Sequence, residues 1–188
     1  NIKDVLVRTY DNIELMHNRV GDITGIATGF AELDKMTAGF QRNDLIIVGA
    51  RPSVGKTAFA LNIAQNIGTK TDETVAIFSL EMGAESLVNR MLCAEGSIDA
   101  GHLRTGTLSE EEWQSLIVAM GSLSKANIYI DDTPGIRIAE IRAKCRRLKQ
   151  EKGNLGLVLI DYLQLIEGTG RESRQQEVSE ISRQLKKL

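Results

Sequence analysis

Ala50-Arg51-Pro52-Ser53-Val54-Gly55-Lys56-Thr57 joins an apolar run at 45–48 to a helix-forming run at 58–64. This order predicts a strand, a tight loop and a helix that begins at Gly55-Lys56-Thr57. A phosphate chain needs inward-pointing backbone N–H groups, a cation, and a hydroxyl that can hold magnesium. The loop and the helix N-terminus supply the N–H groups, Lys56 the charge and Thr57 the hydroxyl. The segment therefore predicts a P-loop whose phosphate-binding residues are Ser53, Val54, Gly55, Lys56, Thr57 and Ala58.

The loop departs from the P-loop consensus at one position. Ala50 stands where the consensus has its first glycine, and Gly49 lies one residue earlier. Alanine excludes the backbone conformations that are open only to glycine, but it keeps the loop small. A chance Gly-Lys-Thr in a surface turn is the alternative, and the flanking strand and helix patterns argue against it.

Composition limits the classes of protein to which the chain can belong. Its 188 residues are enough for one α/β domain with a core. Charged residues make up 26% and the net charge is −2, so any contact with DNA must come from a local patch or from backbone amides. Cys93 and Cys145 are too few for a disulfide framework and are interpreted as reduced core thiols of a cytoplasmic protein. We expect no signal peptide, and the chain contains no apolar run of membrane-spanning length.

Residues 1–20 form a segment of their own. Ile2, Val5, Leu6, Ile13 and Met16 recur at helical spacing, and glycines then break the pattern, which predicts a short amphipathic helix. Its apolar stripe packs either on its own domain or on a neighbouring subunit, and the sequence leaves both open. The chain starts without methionine inside one helical pattern and stops in another, so we expect it to be a piece of a longer protein.

Four apolar runs have the length of strands: Leu45–Gly49, Val75–Leu80, Ile128–Ile130 and Leu157–Asp161. Helical patterns separate them, including one that opens with a capping box at Ser109, one that Gly153 ends, and a last one from Val178 to Leu188. Strands that are nearly all apolar and alternate with helices predict a mainly parallel sheet that is flanked by helices.

Two carboxylates follow strands of this predicted sheet. Asp161 ends an apolar strand, which is the Walker B pattern, and it would orient magnesium through Thr57 and water. Glu81 follows the strand at 75–80, and the carboxyl ends of parallel strands meet at one edge. Glu81 is therefore a candidate to orient or deprotonate an attacking water, and a solvated carboxylate at a strand end is the alternative.

Several motifs together resemble a known family. The segment 28–34, Ala38-Gly39-Phe40 and the P-loop look like the RecA-type ATPase core. The P-loop, Phe78-Ser79-Leu80-Glu81-Met82 and Ile160-Asp161-Tyr162-Leu163-Gln164-Leu165 resemble the replicative DNA helicases of the DnaB type. The resemblance covers nearly the whole chain, and the leading segment is similar to that family's linker helix.

The resemblance implies a RecA-like ATPase domain at 21–188, preceded by the linker helix at 1–20. It implies ATP and Mg²⁺ as cofactors, with Lys56 and Thr57 on phosphate and metal, Glu81 as catalytic base and Asp161 as the Walker B acid. Arg90 matches an arginine of the same motif neighbourhood and is expected to reach the nucleotide. The family's later motifs, including its arginine finger, are expected beyond Leu188, so we expect little or no turnover from the isolated chain.

The same resemblance implies an assembly and partners. The family forms six-membered rings that move along single-stranded DNA, so we expect a hexamer held by exchange of the linker helix, with primase and a helicase loader as partners. Arg171 and Arg174 lie in a predicted loop after the Walker B strand and are candidate DNA contacts, with a plain surface loop as the alternative. Arg142, Arg146 and Lys149 share one predicted helix face, which we interpret as solvated or as a subunit contact.

Two other functions are compatible with a P-loop core. A RecA-type recombination or repair ATPase shares the core, but Met82 and Tyr162-Leu163-Gln164 favour the helicase. A scaffold that binds ATP without hydrolysing it has no need for a base at Glu81. His17 and His102 have no partners at ligand spacing and receive no role.

Overall fold

The chain divides into two units, Asn1–Arg42 and Asn43–Leu188. A computed structural model describes residues 1–18, 21, 23–162, 179, 183 and 186. The predicted loop at 168–174 and most of the predicted last helix lie outside these residues. No helix in the described part of the chain is long and apolar enough to cross a membrane.

The first unit begins with the predicted amphipathic helix. Helix α1 spans Ile2–His17, and the side chain of Asn1 caps it by accepting a hydrogen bond from the backbone N–H of Lys3. None of its residues is buried. The helix is therefore confirmed, and its apolar stripe is exposed.

A buried hydrogen-bond cluster organises the rest of the first unit. Helix α2 spans Ala31–Thr37, and its Asp34 carboxylate accepts hydrogen bonds from the backbone N–H and the hydroxyl of Thr28, at 2.9 and 2.8 Å. Both residues are almost fully buried, so each polar group needs the other. The segment that resembles the RecA-type core from Thr28 to Asp34 is thus a structural element of this unit.

A three-stranded parallel sheet forms the centre of the second unit. Strands β1 (Val75–Ser79), β2 (Ile128–Asp131) and β3 (Leu157–Asp161) lie in the order β2-β1-β3. Both neighbours of β1 run parallel to it, and Ser79 pairs with Asp161 at the carboxyl edge. Every residue of β1 is buried, because continuous apolar strands suit a sheet that is covered on both faces. The parallel α/β prediction is confirmed for these three strands.

The fourth predicted strand, Leu45–Gly49, is wrong in this structure. Residues 45–49 form no strand, and their large apolar side chains are between 38% and 71% exposed. A strand exists only as part of a backbone ladder, and among the described residues none pairs with this segment. The apolar pattern identified a strand-forming sequence, but the pairing that makes a strand is not local.

Helices cover both faces of the sheet. The second unit has the helices α3 (Lys56–Lys70), α4 (Ala84–Gly96), α5 (Ala100–Thr105), α6 (Glu110–Ser124) and α7 (Ile138–Lys152), of which α3 and α7 pack on the sheet. On one face, Ala76 and Phe78 of β1 pack in one cluster with Ile141 and Cys145 of α7. On the other, α3 contacts β1 and β3, and Gly68 lets it approach so closely that a Cβ there would lie 2.4 Å from the side chain of Ile128.

Two local signals read from the sequence are confirmed. Ser109 and Glu112 form the capping box of α6, in which the side chain of each bonds to the backbone N–H of the other. Gly153 ends α7 with a φ of 81°, in the left-handed region that favours glycine. These signals work because their partners lie within a few residues in sequence.

Candidate active site

The P-loop carries two left-handed residues. Ser53 has a φ of 65° and Gly55 a φ of 93°, and such angles are uncommon outside glycine. Ala50 is not among the residues with positive φ. The consensus glycine is therefore dispensable at this position, because the backbone there does not need the conformations that only glycine adopts.

Helix α3 offers an uncapped N-terminus at the end of this loop. Its N-cap is Gly55, no side chain caps it, and its first turn has no acidic residue. Each of the other described helices has an acidic residue at its N-cap or in its first turn, namely Asp4, Glu32, Asp34, Glu85, Asp99, Glu110, Glu111, Glu112 and Glu140. The first N–H groups and positive dipole end of α3 are thus left for an external anion.

Thr57 and Asp161 meet although they are far apart in sequence. The Thr57 hydroxyl donates to Oδ2 of Asp161 at 3.1 Å, and Asp161 is only 8% exposed. A hydroxyl and a carboxylate oxygen are hard ligands, and Mg²⁺ in nucleotide sites takes few protein ligands beside water and phosphate. This donor set fits magnesium, although no group of three or more His, Cys, Asp or Glu residues suited to a metal occurs in the described chain.

Lys56 has a partner that the sequence did not indicate. Its ammonium nitrogen lies 5.0 Å from the centroid of the Tyr162 ring, next to Asp161 in sequence. Such cation–π contacts stabilise by about 0.5–2 kcal/mol, depending on solvent access. The contact holds the ammonium of Lys56 next to the residue that follows Asp161. It could not be predicted from the sequence, because it forms only when β3 packs beside α3.

Glu81 lies at the same edge of the sheet as Asp161. The backbone N–H of Leu80 donates to the carbonyl of Asp161 at 2.8 Å, so pairing of the two chain segments continues up to the residue before Glu81. The Glu81 side chain is exposed. It makes no hydrogen bond or ion pair with any residue that the structure describes, so it is available to a bound water or ligand.

The other candidate residues are less closely tied to this site. Arg90 is exposed on α4 and has no polar partner among the described residues. Arg171 and Arg174 lie outside the described residues. On α7, Arg146 and Lys149 are exposed and Arg142 is half-buried, which leaves both interpretations of this basic face open.

The two cysteines are free, as expected, but they differ in their surroundings. Cys145 is buried, and burial raises its pKa to about 11. Cys93 is half-buried, and burial together with the charge of Asp99 raises its pKa. Both are protonated near neutral pH and therefore weak nucleophiles. Cys93 is only partly a core residue, so the prediction of two core thiols holds for Cys145.

Comparison with known proteins agrees with this arrangement. Residues 25–188 match the model of the DnaB-like helicase C terminal domain. The chain belongs to this family. The sequence-based resemblance is thereby confirmed, and the parallel sheet flanked by helices in this chain agrees with the predicted RecA-like α/β fold class.

The most similar relatives include two bacterial helicases. The chain is 78% identical to the replicative DNA helicase DnaC of Bacillus subtilis (strain 168) and 74% identical to the replicative DNA helicase DnaB of Geobacillus stearothermophilus. Each match covers 100% of this chain and 42% of the relative. The chain thus spans less than half the length of these relatives.

Solved structures give the same result. A DnaB-like replicative helicase, described with its interactions with primase, superimposes with a TM-score of 0.89 at 40% identity, over 100% of this chain and 45% of that one. A separately solved ATPase domain gives a TM-score of 0.91 at 40% identity, over 100% of this chain and 66% of that one.

Proposed function

We propose that this chain is the ATP-hydrolysing motor domain of a replicative DNA helicase. The observation that carries the proposal is the Thr57–Asp161 hydrogen bond of 3.1 Å, which joins the P-loop helix to the strand that ends beside Glu81. Family membership supports the same activity. The unwinding of DNA by the whole protein, of which this chain matches a part, belongs to this proposal.

Each site residue has a role in the proposed reaction. Amides of residues 53–58 and the ammonium of Lys56 hold the phosphates of ATP, and Lys56 also stabilises charge that develops during transfer. Glu81 orients the attacking water and takes its proton. Arg90 reaches the nucleotide from α4, as the family resemblance implies.

Thr57 and Asp161 would hold Mg²⁺, Thr57 directly and Asp161 through water. The metal would supply neutralisation of phosphate charge. The Thr57 hydroxyl donates a hydrogen bond to Asp161, and this contact keeps both oxygens at one place.

The alternatives are less well supported. A non-hydrolysing scaffold needs no carboxylate at the position of Glu81, exposed at the edge where Asp161 ends its strand. A recombination or repair ATPase would share the core, but the family match is to DnaB-like helicases. Hydrolysis that depends on Glu81 separates the motor from the scaffold, and DNA unwinding separates the helicase from the recombinase.

The partners follow from the family and from one structural neighbour. We propose single-stranded DNA as the track, with Arg171 and Arg174 as contacts, and primase as a partner, because a related helicase was described with primase. A loader, a hexameric ring and a cytoplasmic location complete the proposal. We keep the division into a linker helix at 1–20 and an ATPase domain at 21–188, which the family match at 25–188 supports.

Exposed apolar faces support exchange of the linker helix between copies. On α1, Ile2, Val5, Leu6, Ile13 and Met16 share one face, and all are at least half exposed. On α6, Trp113, Ile117 and Met120 form a second exposed face, beside the buried Leu116 and Ala119. Apolar stripes of this kind mark interaction sites. We propose that α1 of one copy packs on the α6 face of the next.

The first prediction concerns phosphate binding. Lys56→Ala removes the cation at the P-loop and should weaken ATP binding about 10- to 100-fold, because a hydrogen bond to a charged group contributes about 1.5–3 kcal/mol. Titration calorimetry on the full-length protein measures it. Lys70→Ala, at the other end of the same helix, is the matched control and should bind ATP like the parent. Equal affinities of the parent and Lys56→Ala would contradict the assignment.

The second prediction concerns catalysis. Glu81→Gln keeps the size of the side chain but removes the base, so it should reduce ATP hydrolysis about 10²- to 10⁴-fold and leave ATP affinity unchanged. Turnover is measured on the full-length protein with and without single-stranded DNA. The parent should be stimulated by DNA. Parental turnover in the variant would show that the base lies elsewhere, and DNA-independent turnover of the parent would argue against a translocating motor.

The third prediction concerns assembly. Leu6→Glu with Ile13→Glu places two charges on the proposed contact face of α1 and should shift the full-length protein from rings to smaller species, measured by sedimentation velocity. Leu15→Glu puts the same change on another face of α1, where Leu15 is 66% exposed, and should leave the assembly intact. Unchanged rings in the double variant would contradict helix exchange.

A further inference from the structure

The position of Glu81 is set by the backbone segment that carries it, and not by contacts of its own side chain. Its side chain is exposed and contacts no polar partner among the described residues, so the segment 80–83 that carries it must be held by other groups. A general base works only within hydrogen-bond reach of its water. Whatever fixes the backbone on either side of Glu81 therefore controls the geometry of hydrolysis.

Ser79 holds this segment from the strand side. Its hydroxyl donates to the carbonyl of Met82 at 2.6 Å and accepts from the backbone N–H of Met82 at 3.3 Å. Ser79 is the last residue of β1 and is 1% exposed. A buried hydroxyl with both bonds made to one residue closes the turn around Leu80 and Glu81 and fixes it to the sheet.

Asp132 holds the segment from the helix side. Helix α4 begins at Ala84 after Gly83, which has no side chain to cap it. Oδ2 of Asp132 accepts the backbone N–H of Ala84 at 2.9 Å, which is the capping bond that the local sequence lacks. Asp132 directly follows strand β2, so its carboxylate ties the loop after β1 to the neighbouring strand.

The turn that carries Asp132 is itself held in place. Oδ1 of Asp131 accepts the backbone N–H of Thr133 at 3.0 Å, and the other oxygen pairs with Lys144 of α7. Burial opposes ionisation of Asp131, but bonds from Lys144 and Thr133 outweigh it and lower its pKa. Asp131 is therefore charged at neutral pH, and the turn after β2 is anchored to α7.

We propose that Ser79 and Asp132 are positioning residues for the proposed base Glu81. They hold the segment between β1 and α4 at both ends, one from within β1 and one from the end of β2. The inference rests on the proposed role of Glu81. Neither residue touches the phosphates in this account, so their loss should affect the rate of hydrolysis and leave ATP binding unchanged.

The test uses Asp132 because it is exposed and its replacement does not disturb the core. Asp132→Ala in the full-length protein should lower the single-turnover rate of ATP hydrolysis about 10- to 100-fold. Displacement of a catalytic group by about 1 Å can lower a reaction rate by about 100-fold. The dissociation constant of ATP should stay within about twofold. Asp132→Asn retains an acceptor oxygen for Ala84 and should restore most of the rate.

Asp99→Ala is the matched control. Asp99 caps α5 by accepting the backbone N–H of His102 at 3.0 Å, so this variant loses the same kind of bond at a helix that does not follow the segment carrying the base. It should hydrolyse ATP at the parental rate. A parental rate in Asp132→Ala, or an equal loss in Asp99→Ala, would overturn the proposal, because the effect would then be absent or merely one of helix stability.

Two further measurements separate the possible failures. Ser79→Ala should lower the rate with unchanged ATP affinity, and hydrogen exchange should show faster exchange at the Met82 amide in that variant and at the Ala84 amide in Asp132→Ala. If Glu81→Gln still hydrolyses ATP, the base assignment fails and this inference with it. If Glu81→Gln is inactive but Asp132→Ala and Ser79→Ala retain the parental rate, only the positioning roles are wrong.

Discussion

The hydrogen bond between Thr57 and Asp161 is the contact on which the site depends. It joins residues 104 positions apart at 3.1 Å, and it forms only if α3 packs on the sheet and β3 pairs with β1. Closing so long a segment costs conformational entropy. Burial of the apolar strand β1 between helices offsets this cost. A defect in this packing would move the P-loop away from Glu81 and Asp161, even though all of these residues would still be present.

The sheet determines what the carboxylates can do. Parallel pairing of β1 with β3 puts Ser79 opposite Asp161, so Glu81 and Asp161 leave the sheet at one edge although different strands carry them. Strand β2 adds Asp132 at the same edge. Helix α3 leaves its uncapped N-terminus open to an anion. In the proposed function, phosphate binding, metal binding and proton transfer thus belong to different elements that one sheet aligns.

Local patterns predicted much of this arrangement. Strands β1, β2 and β3 were recognisable because each is a short apolar run, and the P-loop because its residues are contiguous. Contacts between residues far apart in sequence were not predictable, namely the ring of Tyr162 beside Lys56 and the hydrogen bond from the backbone N–H of Ala84 to Asp132. The prediction of a strand at 45–49 was wrong for the same reason, since an apolar pattern cannot specify a pairing partner.

In the proposed function, Thr57 and Asp161 form one magnesium-dependent site for ATP. The most direct measurement is ATP affinity with and without Mg²⁺, by titration calorimetry on the full-length protein and its Asp161→Asn variant. We predict that Mg²⁺ tightens ATP binding by about tenfold or more in the parent, a coupling of about 1.4 kcal/mol, and that the variant loses most of this gain. Equal dependence on Mg²⁺ in both proteins would contradict the account.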